Sequence, residues 1–204
     1  MKTITEIKAQ IKNPTRCNIY LDGQYFCALE LETVMRNRLR AGVMIDENRL
    51  SEMQAESETS RALDRALNFI SASQKTQKQI EDYLRSKGYT DQVVSAVIEK
   101  MLGYGYIDDE AYAKSYSKFT SAKKGRRLIA LELKRKGVKD ADISSAVAEI
   151  DGEEEAAKAI AEKYMRGKTK DKANIYKCYK HLISKGFDYD TAKSAVDGID
   201  DEDL

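Results

Sequence analysis

Leu84-Arg85-Ser86-Lys87-Gly88 is the first of three copies of one motif, Leu-x-x-Lys-Gly, and the others are Leu133–Gly137 and Leu182–Gly186. The three glycines lie 49 residues apart both times. Glycine adopts the left-handed backbone conformation that ends many helices, and the apolar residue after it packs back on the last helical turn. Tyr89 follows the first copy, and an apolar residue also follows each of the others. The motif therefore predicts helices that end in the same way in three repeated units.

The same offset of 49 residues aligns apolar residues on both sides of the motif. In the helix that ends at the glycine, one column holds Ile80, Ile129 and Cys178. After the glycine, four columns are spaced i, i+3, i+4 and i+7, which is one face of a helix. These columns are Val94, Ile143 and Ala192; Val97, Ala146 and Ala195; Ile98, Val147 and Val196; and Met101, Ile150 and Ile199. The pattern predicts a unit of three short helices, used three times.

We place these repeats at 58–107, 108–150 and 151–204, after an N-terminal element at 1–57. The predicted fold class is mainly α, with three tandem three-helix repeats forming an elongated curved body that follows a small β-hairpin and helix element. A repeat of this size cannot bury its apolar face alone, so neighbouring units have to stack. The acidic end of the chain, 200–204, is expected to be a solvated tail.

Three short strands are predicted in the N-terminal element, at 4–11, 17–21 and 24–29, and a short helix at 46–55. Asp22-Gly23 is typical of a two-residue hairpin turn. In the resulting register Asn18 faces Cys27, so that Cys17 and Cys27 point to opposite faces and form no disulfide.

Composition narrows the range of functions. The chain has 204 residues, one proline, 42% hydrophobic and 34% charged residues, which indicates a helical protein with a packed core. Three cysteines without metal-like spacing, no signal-peptide pattern and no long apolar run predict a protein of the cytoplasm. The net charge of +1 argues against binding of nucleic acid by bulk charge alone.

The charge is nevertheless uneven along the chain. Residues 108–150 carry ten Lys and Arg against seven Asp and Glu, whereas 151–204 carry ten against thirteen. The positive charge is concentrated in what we call the basic set, which is our candidate site for a partner or for DNA. It comprises Lys123, Lys124, Arg126, Arg127, Lys134 and Arg135.

Two interpretations of the basic set stay open. Lys134 and Arg135 lie near a helix C-terminus, where cations interact favourably with the helix dipole and need no partner. The members from Lys123 to Arg127 lie near a helix N-terminus, where cations are locally unfavourable, which favours contact with phosphate or with an acidic protein surface. We expect Lys123, Arg127 and Lys134 to share one helix face.

Catalytic chemistry has little support in the sequence. Cys178 and His181, the only histidine, are three residues apart, but Cys178 falls in a core column. Gly167-Lys168-Thr169 lacks the earlier glycine of a phosphate-binding loop, and Gly103-Tyr104-Gly105-Tyr106 lacks the preceding strand of a dinucleotide site. Tyr83, Tyr112 and Tyr116 have core spacing rather than the pattern of a base-stacking platform. We expect no enzyme, no cofactor and no metal site.

The sequence resembles the RecX family of bacterial recombination regulators over about 60–198. The resemblance is carried by the three tandem repeats, by the Leu-x-x-Lys-Gly motifs and by Gly105-Tyr106-Ile107-Asp108-Asp109-Glu110-Ala111-Tyr112-Ala113, which is similar to a Gly-aromatic-aliphatic-Asp-Asp segment of that family. Residues 1–57 match least.

The resemblance implies a non-enzymatic modulator that binds the RecA recombinase, commonly inhibits its ATP hydrolysis and strand exchange, and weakens its filament on single-stranded DNA. No functional residue is carried over from the family, so the basic set is an independent hypothesis. A competing hypothesis is a nucleic-acid-binding protein with helix-turn-helix-like units that acts directly on DNA, and a third is a passive helical scaffold. We expect a monomer, because stacked repeats shield one another's apolar faces.

Overall fold

A computed structural model of the chain describes residues 1–200. The acidic tail predicted at 200–204 therefore lies outside the described residues, apart from the backbone of Asp200. The chain forms two compact units. The first comprises Met1–Ser73 and Ile80–Tyr106, and the second comprises Gln74–Gln79 and Ile107–Leu204.

The first unit begins with an antiparallel sheet of four strands in the order β3-β2-β1-β4. The strands are β1 (Lys2–Ala9), β2 (Arg16–Leu21), β3 (Gln24–Glu30) and β4 (Met44–Ile45), and α1 (Leu31–Arg36) follows β3. Asp22 and Gly23 have φ values of 47° and 82° and make the predicted two-residue turn. The two-residue strand β4 was not predicted, because so short a segment has no recognisable alternation.

The predicted strand register beyond the hairpin turn is wrong. Leu21 pairs with Gln24 as expected, but the register shifts between Ile19 and Tyr20, so that Ile19 faces Cys27. Such a bulge adds one residue to a strand and reverses which side chains share a face. Cys17 and Cys27 consequently both point into the core of the sheet, where they are 3% and 1% exposed. Both are free thiols, and burial raises the pKa of Cys27 to about 11.

Helix α2 spans Glu47–Ser71, a single helix of 25 residues. The separate short helix predicted at 46–55 is therefore wrong, since no glycine or proline interrupts the chain between 47 and 71. Position 57, our predicted boundary, lies inside α2. There the buried Ser57 hydroxyl accepts a hydrogen bond of 2.9 Å from the backbone N–H of Glu30, which attaches the end of β3 to this helix.

Within residues 1–200, eight further helices complete the three predicted repeats. They are α3 (Gln77–Ser86), α4 (Asp91–Gly103), α5 (Asp109–Thr120), α6 (Arg126–Arg135), α7 (Asp140–Ala148), α8 (Glu153–Met165), α9 (Lys172–Ser184) and α10 (Tyr189–Asp200). The second helix of each repeat, α3, α6 or α9, ends at a Leu-x-x-Lys-Gly motif. No described helix is long and apolar enough to cross a membrane.

The predicted helix ends are confirmed in all three repeats. The motif glycines have φ values of 85°, 87° and 88°. After each glycine, the backbone N–H of the apolar residue donates to the carbonyl of the motif leucine, as in Tyr89 to Leu84 at 3.3 Å, Val138 to Leu133 at 3.2 Å and Phe187 to Leu182 at 3.3 Å. This is the hydrogen bond expected of a Schellman motif.

The predicted core columns are also confirmed, with one partial exception. Ile80, Ile129 and Cys178 are 0% exposed. The four columns of the third helices are buried except at Val147, which is half-buried at the edge of the second repeat's core. Periodicity therefore locates the apolar core of each repeat.

Candidate interaction surface

The basic set lies on α6 and on the turn that precedes it. Gly125 is the N-cap residue of α6, and Arg126 is its first helical residue. Lys123 precedes the helix, so the helix face that we predicted for three residues is shared only by Arg127 and Lys134, which are separated by about two turns.

The start of α6 packs against the end of α9 through backbone atoms. A Cβ atom at Gly125 would lie 2.4 Å from the carbonyl atoms of Gly186 and from the nitrogen of Phe187. The N–H of Gly125 donates to the carbonyl of Lys185 at 3.0 Å, and that of Arg127 donates to the carbonyl of Gly186 at 3.2 Å. The second repeat is thereby hydrogen-bonded to the Lys-Gly turn of the third.

The same contact occurs one repeat earlier within the second unit. The Thr76 hydroxyl donates to the carbonyl of Lys136 at 2.6 Å. A Cβ atom at Gly137 would lie 2.4 Å from the Cβ of Lys78. The offset of 49 residues superposes these positions on those of the α6 contact. The contact is therefore a repeated feature of the fold.

Carboxylates complete both contacts. The N–H of Gln77, the first residue of α3, donates to Asp109 Oδ1 at 2.9 Å, and that of Arg126 donates to Glu153 Oε1 at 2.9 Å. Asp109 and Glu153 are the first residues of α5 and α8, so in each case the following repeat supplies an acceptor to a backbone N–H at the start of a helix. Burial raises the pKa of Asp109, and the hydrogen bond from Gln77 opposes this effect.

We call each set of contacts an inter-repeat clip. The first comprises 76–78, Asp109 and 136–137, and the second comprises 125–127, Glu153 and 185–186. Sequence reasoning missed Thr76, Asp109 and Glu153. The offset of 49 residues could have pointed to the first clip, because it aligns Thr76 with Gly125.

The second clip uses the charge of Arg126. Arg126 Nε lies 3.1 Å from Glu153 Oε2, which is only 12% exposed, and Arg126 Nη2 donates to the carbonyl of Ile150. Gly125 has no side chain with which to cap α6, so Glu153 serves as an acceptor for both the backbone and the guanidinium. A cation at this helix start thus has a partner within the chain.

Lys124 is also engaged within the chain. Its Nζ lies 2.6 Å from Glu132 Oε1, and the Tyr116 hydroxyl donates to Glu132 Oε2 at 2.7 Å. Burial would raise the pKa of Glu132, but these two hydrogen bonds outweigh it and lower the pKa. The hydrogen bond to Glu132 raises the pKa of Lys124. Lys124 therefore stays charged while it holds the turn against α6.

The remaining members of the basic set are exposed. Lys134 Nζ lies 3.1 Å from Asp140, and both side chains are more than half exposed, so this ion pair contributes little to stability. Lys123, Arg127 and Arg135 have no carboxylate within 4 Å in the part of the chain that the structure describes. The basic set thus falls into three groups. Two cations are paired within the fold, one forms an ion pair at the surface, and three point outward; these are Lys124 and Arg126, then Lys134, then Lys123, Arg127 and Arg135.

The second clip makes a stability prediction at Glu153. We expect Glu153→Ala to lower the free energy of unfolding by about 1–2 kcal/mol, because α6 loses its capping acceptor and Arg126 loses its partner. Urea unfolding followed by far-UV circular dichroism would measure this change. Glu154→Ala is the control, because Glu154 lies on the same first turn of α8 but is exposed, and it should change the free energy by less than about 0.5 kcal/mol. Equal effects of the two substitutions would contradict the capping role.

Packing contacts surround Cys178 and His181, the pair that the sequence analysis considered for catalysis. Cys178 is buried, and the ring of His181 stacks on Tyr164 with centroids 4.8 Å apart. Burial lowers the pKa of His181, and the positive charges of Lys185 and Lys168 lower it further. Among the described residues, no group of three or more His, Cys, Asp or Glu side chains is placed to hold a metal ion.

Family sequence profiles match four consecutive segments of the chain. The "Regulatory protein RecX N-terminal domain" matches residues 2–46, which hold the sheet. The first, second and third three-helix domains of RecX match 62–101, 108–147 and 152–196, one in each repeat.

Individual relatives and solved structures agree with this assignment. Regulatory protein RecX of Clostridium perfringens is 32% identical over 202 residues, covering 96% of this chain and 95% of the relative. That of Bacillus licheniformis is 30% identical over 208 residues, covering 99% of this chain and 79% of the relative. A crystal structure of regulatory protein RecX superposes with a TM-score of 0.70 at 28% identity, over 97% of this chain and 100% of that one. RecX from Lactobacillus salivarius superposes with a TM-score of 0.63 at 30% identity, over 70% of this chain and 97% of that one. The chain belongs to the RecX family of regulatory proteins.

Proposed function

We propose that the protein binds the RecA recombinase filament, inhibits its ATP hydrolysis and strand exchange, and destabilises the filament. The observation that carries this proposal is the group of outward cations on and around α6, a helix whose start is held by backbone hydrogen bonds and by Glu153. Membership of the RecX family supports the choice of partner.

The second clip favours binding because it orders the surface in advance. A partner that meets Lys123, Arg127 and Arg135 does not have to order α6, since the helix start is already held by the third repeat. Less entropy is then lost on association, which raises affinity for a given set of contacts. Lys124 and Arg126 hold that surface in place.

An acidic protein surface fits these cations better than a long stretch of nucleic acid does. The formal net charge is +1, whereas a protein that neutralises many phosphates needs a large excess of Lys and Arg. Three outward charges are suited to specific ion pairs and to electrostatic steering toward a partner. Inhibition then follows from differential binding, since a ligand shifts a filament toward whichever arrangement of protomers it binds more tightly.

The test is single-stranded-DNA-dependent ATP hydrolysis by the cognate RecA, titrated with this protein. We expect inhibition by the wild type, and the triple variant Lys123→Glu, Arg127→Glu and Arg135→Glu should need about tenfold more protein or more for half-inhibition, because attraction becomes repulsion. Arg126 is left unchanged, and Arg127 contributes only its backbone N–H to the second clip, so the side-chain contacts of the clip stay intact.

The control variant reverses the same number of exposed lysines in the third repeat, Lys158→Glu, Lys163→Glu and Lys177→Glu. It has the same net charge as the test variant, so it should inhibit like the wild type if the position of the charges decides binding. No inhibition by the wild type, or equal loss in the two variants, would contradict the proposal.

Direct action on DNA is the alternative, and the same outward cations favour it. In that case the protein should bind single-stranded DNA without RecA, with an affinity that falls steeply as salt rises. Reversal of Arg127 and Arg135 should reduce this salt dependence. Fluorescence anisotropy with a labelled oligonucleotide measures both quantities, and no binding at low salt would exclude this alternative.

A further inference from the structure

Four of the eight residues that line a small cavity in the first unit are cationic. Its volume is about 210 Å³. The charged residues that line it are Arg16 of β2, Arg61 and Arg65 of α2, Lys87 of the turn after α3, and Glu58. Arg61 and Arg65 are four residues apart and therefore neighbours on one side of α2. The cavity brings together four cations from three separate segments.

Positive charge exceeds negative charge around this cavity. Glu30 Oε1 lies 3.6 Å from Arg16 Nε and 3.9 Å from Arg61 Nε, so one carboxylate is shared by two guanidinium groups. Lys87 Nζ lies over an aromatic ring, 5.3 Å from its centroid. Neither Arg65 nor Lys87 has a carboxylate within 4 Å among the described residues. Like charges held close together repel, so an anion in the cavity would be stabilising.

One donor of Arg16 makes no hydrogen bond among the described residues, although Glu30 Oε1 lies 3.6 Å from it. The side chain is only 16% exposed, and its Nη2 donates to the carbonyl of Ala28 at 3.0 Å. Its Nε is buried and has no hydrogen-bond partner within residues 1–200. A buried guanidinium nitrogen without an acceptor is unfavourable. Arg16 lines the cavity, so an oxyanion held there would be attracted by its charge.

The cavity also lies at the first-repeat copy of the Lys-Gly turn. In the second and third repeats, an inter-repeat clip covers this turn, and a Cβ atom at Gly137 or Gly186 would lie 2.4 Å from atoms of the preceding segment. A Cβ atom at Gly88 meets nothing within 4 Å. The first copy of the turn is therefore open, and Lys87 and Thr90 line the cavity there.

We propose that this cavity is a binding site for a phosphate group. Arginine presents a planar fork of N–H donors that matches phosphate oxygens, and lysine adds a point charge. The Thr90 hydroxyl oxygen accepts from the N–H of Val93 at 3.5 Å and keeps its own proton to donate. The volume is below the roughly 300 Å³ at which small-molecule sites begin. The cavity thus holds the phosphate group itself, while any attached sugar and base stay outside.

Three sources share this chemistry: free phosphate, the 5′-terminal phosphate of a single strand, and an internal phosphodiester. The site does not rest on the proposed action on RecA, because the basic set belongs to the second unit and all the cations of the cavity belong to the first.

The first experiment is titration of the full-length protein with inorganic phosphate at constant ionic strength, followed by amide chemical shifts in NMR spectra. We expect saturable shifts at Gly88 and Thr90, and Arg61→Gln should weaken binding about tenfold through the lost charged hydrogen bond. Arg49→Gln is the matched control, because Arg49 lies on the same helix, is exposed and pairs with Glu52 at 3.2 Å away from the cavity. The control should bind like the wild type.

A second variant separates binding from folding. Lys87→Gln leaves the ion pairs of Glu30 and the whole of α2 unchanged, and it should also weaken binding about tenfold. Absence of saturable shifts in the wild type would overturn the proposal. Binding in both Arg61→Gln and Lys87→Gln that equals the wild type would overturn it as well.

Competition with oligothymidylates distinguishes the sources. Displacement of phosphate only by a strand with a 5′-phosphate identifies the terminal group as the ligand. Equal displacement by strands with and without that phosphate identifies the internal phosphodiester, and no displacement by either identifies the free ion. Each outcome supports the site and assigns its source.

Discussion

Replacement of Gly125 by alanine is expected to lower the free energy of unfolding by about 3 kcal/mol, at the upper end of the usual cost of overpacking. The new methyl group would lie 2.4 Å from three backbone atoms of Gly186 and Phe187. A flexible side chain could move away, but backbone that is held by its own helix-end hydrogen bonds cannot. The start of α6 would have to separate from the end of α9, which also breaks the hydrogen bonds to Lys185 and Gly186.

Urea unfolding followed by far-UV circular dichroism measures the effect of Gly125→Ala, and the chain has no tryptophan for a fluorescence readout. The control is Gly103→Ala. Gly103 is the last residue of α4, and a Cβ atom there meets nothing within 4 Å. Alanine is favoured over glycine in a helix, so the control should be neutral or stabilise by up to about 1 kcal/mol. A loss below about 1 kcal/mol in Gly125→Ala would show that the second clip tolerates a side chain.

Local rules were sufficient to predict the repeats. The Gly88, Gly137 and Gly186 positions need a left-handed backbone, and this requirement depends only on residues within the same turn. Helical periodicity likewise depends on neighbours three and four residues apart, so it located the buried columns. Features that are set by short stretches of chain can be predicted from one sequence.

Features that depend on distant residues were missed. The bulge between Ile19 and Tyr20 is set by pairing within the whole sheet, and it reversed the predicted orientation of Cys17. The continuity of α2 was missed for a local reason, since the boundary was placed at 57 although nothing there ends a helix. At the bulge, pairing across the whole sheet decided between two locally acceptable registers.

At the candidate interaction surface, too, local features could be predicted and contacts between distant residues could not. A cation at the start of a helix is unfavourable in isolation, so the sequence predicted that Arg126 contacts phosphate or an acidic protein surface. Glu153 neutralises it from 27 positions further along the chain. The cations of the cavity come from positions 16, 61, 65 and 87, and only 61 and 65 are connected by a spacing rule, that of a helix. A site assembled from separate segments becomes visible only when those segments are placed in space.

Replacement of Phe187 by alanine is expected to lower the free energy of unfolding by about 3–5 kcal/mol. Phe187 is 0% exposed in the core of the third repeat. Four of the other buried residues in that core are alanines, at 157, 161, 192 and 195. Alanine has no alternative rotamers with which to fill a cavity, so the space left by the ring would stay largely empty. The cost should therefore lie at the upper end of the range for an aromatic residue.

The first repeat provides a matched comparison for Phe187→Ala. Tyr89 holds the same place after the motif glycine, and its N–H makes the same hydrogen bond to the motif leucine, but its side chain is only half-buried. Tyr89→Ala should therefore cost about 1–2 kcal/mol, because less apolar surface returns to water and no closed cavity forms. Urea unfolding of both variants tests this order. If Tyr89→Ala cost as much as Phe187→Ala, the residue after the motif glycine would contribute to stability through the helix-end structure common to all three repeats. A larger cost at Phe187 would instead show that burial in the core of each repeat decides its contribution.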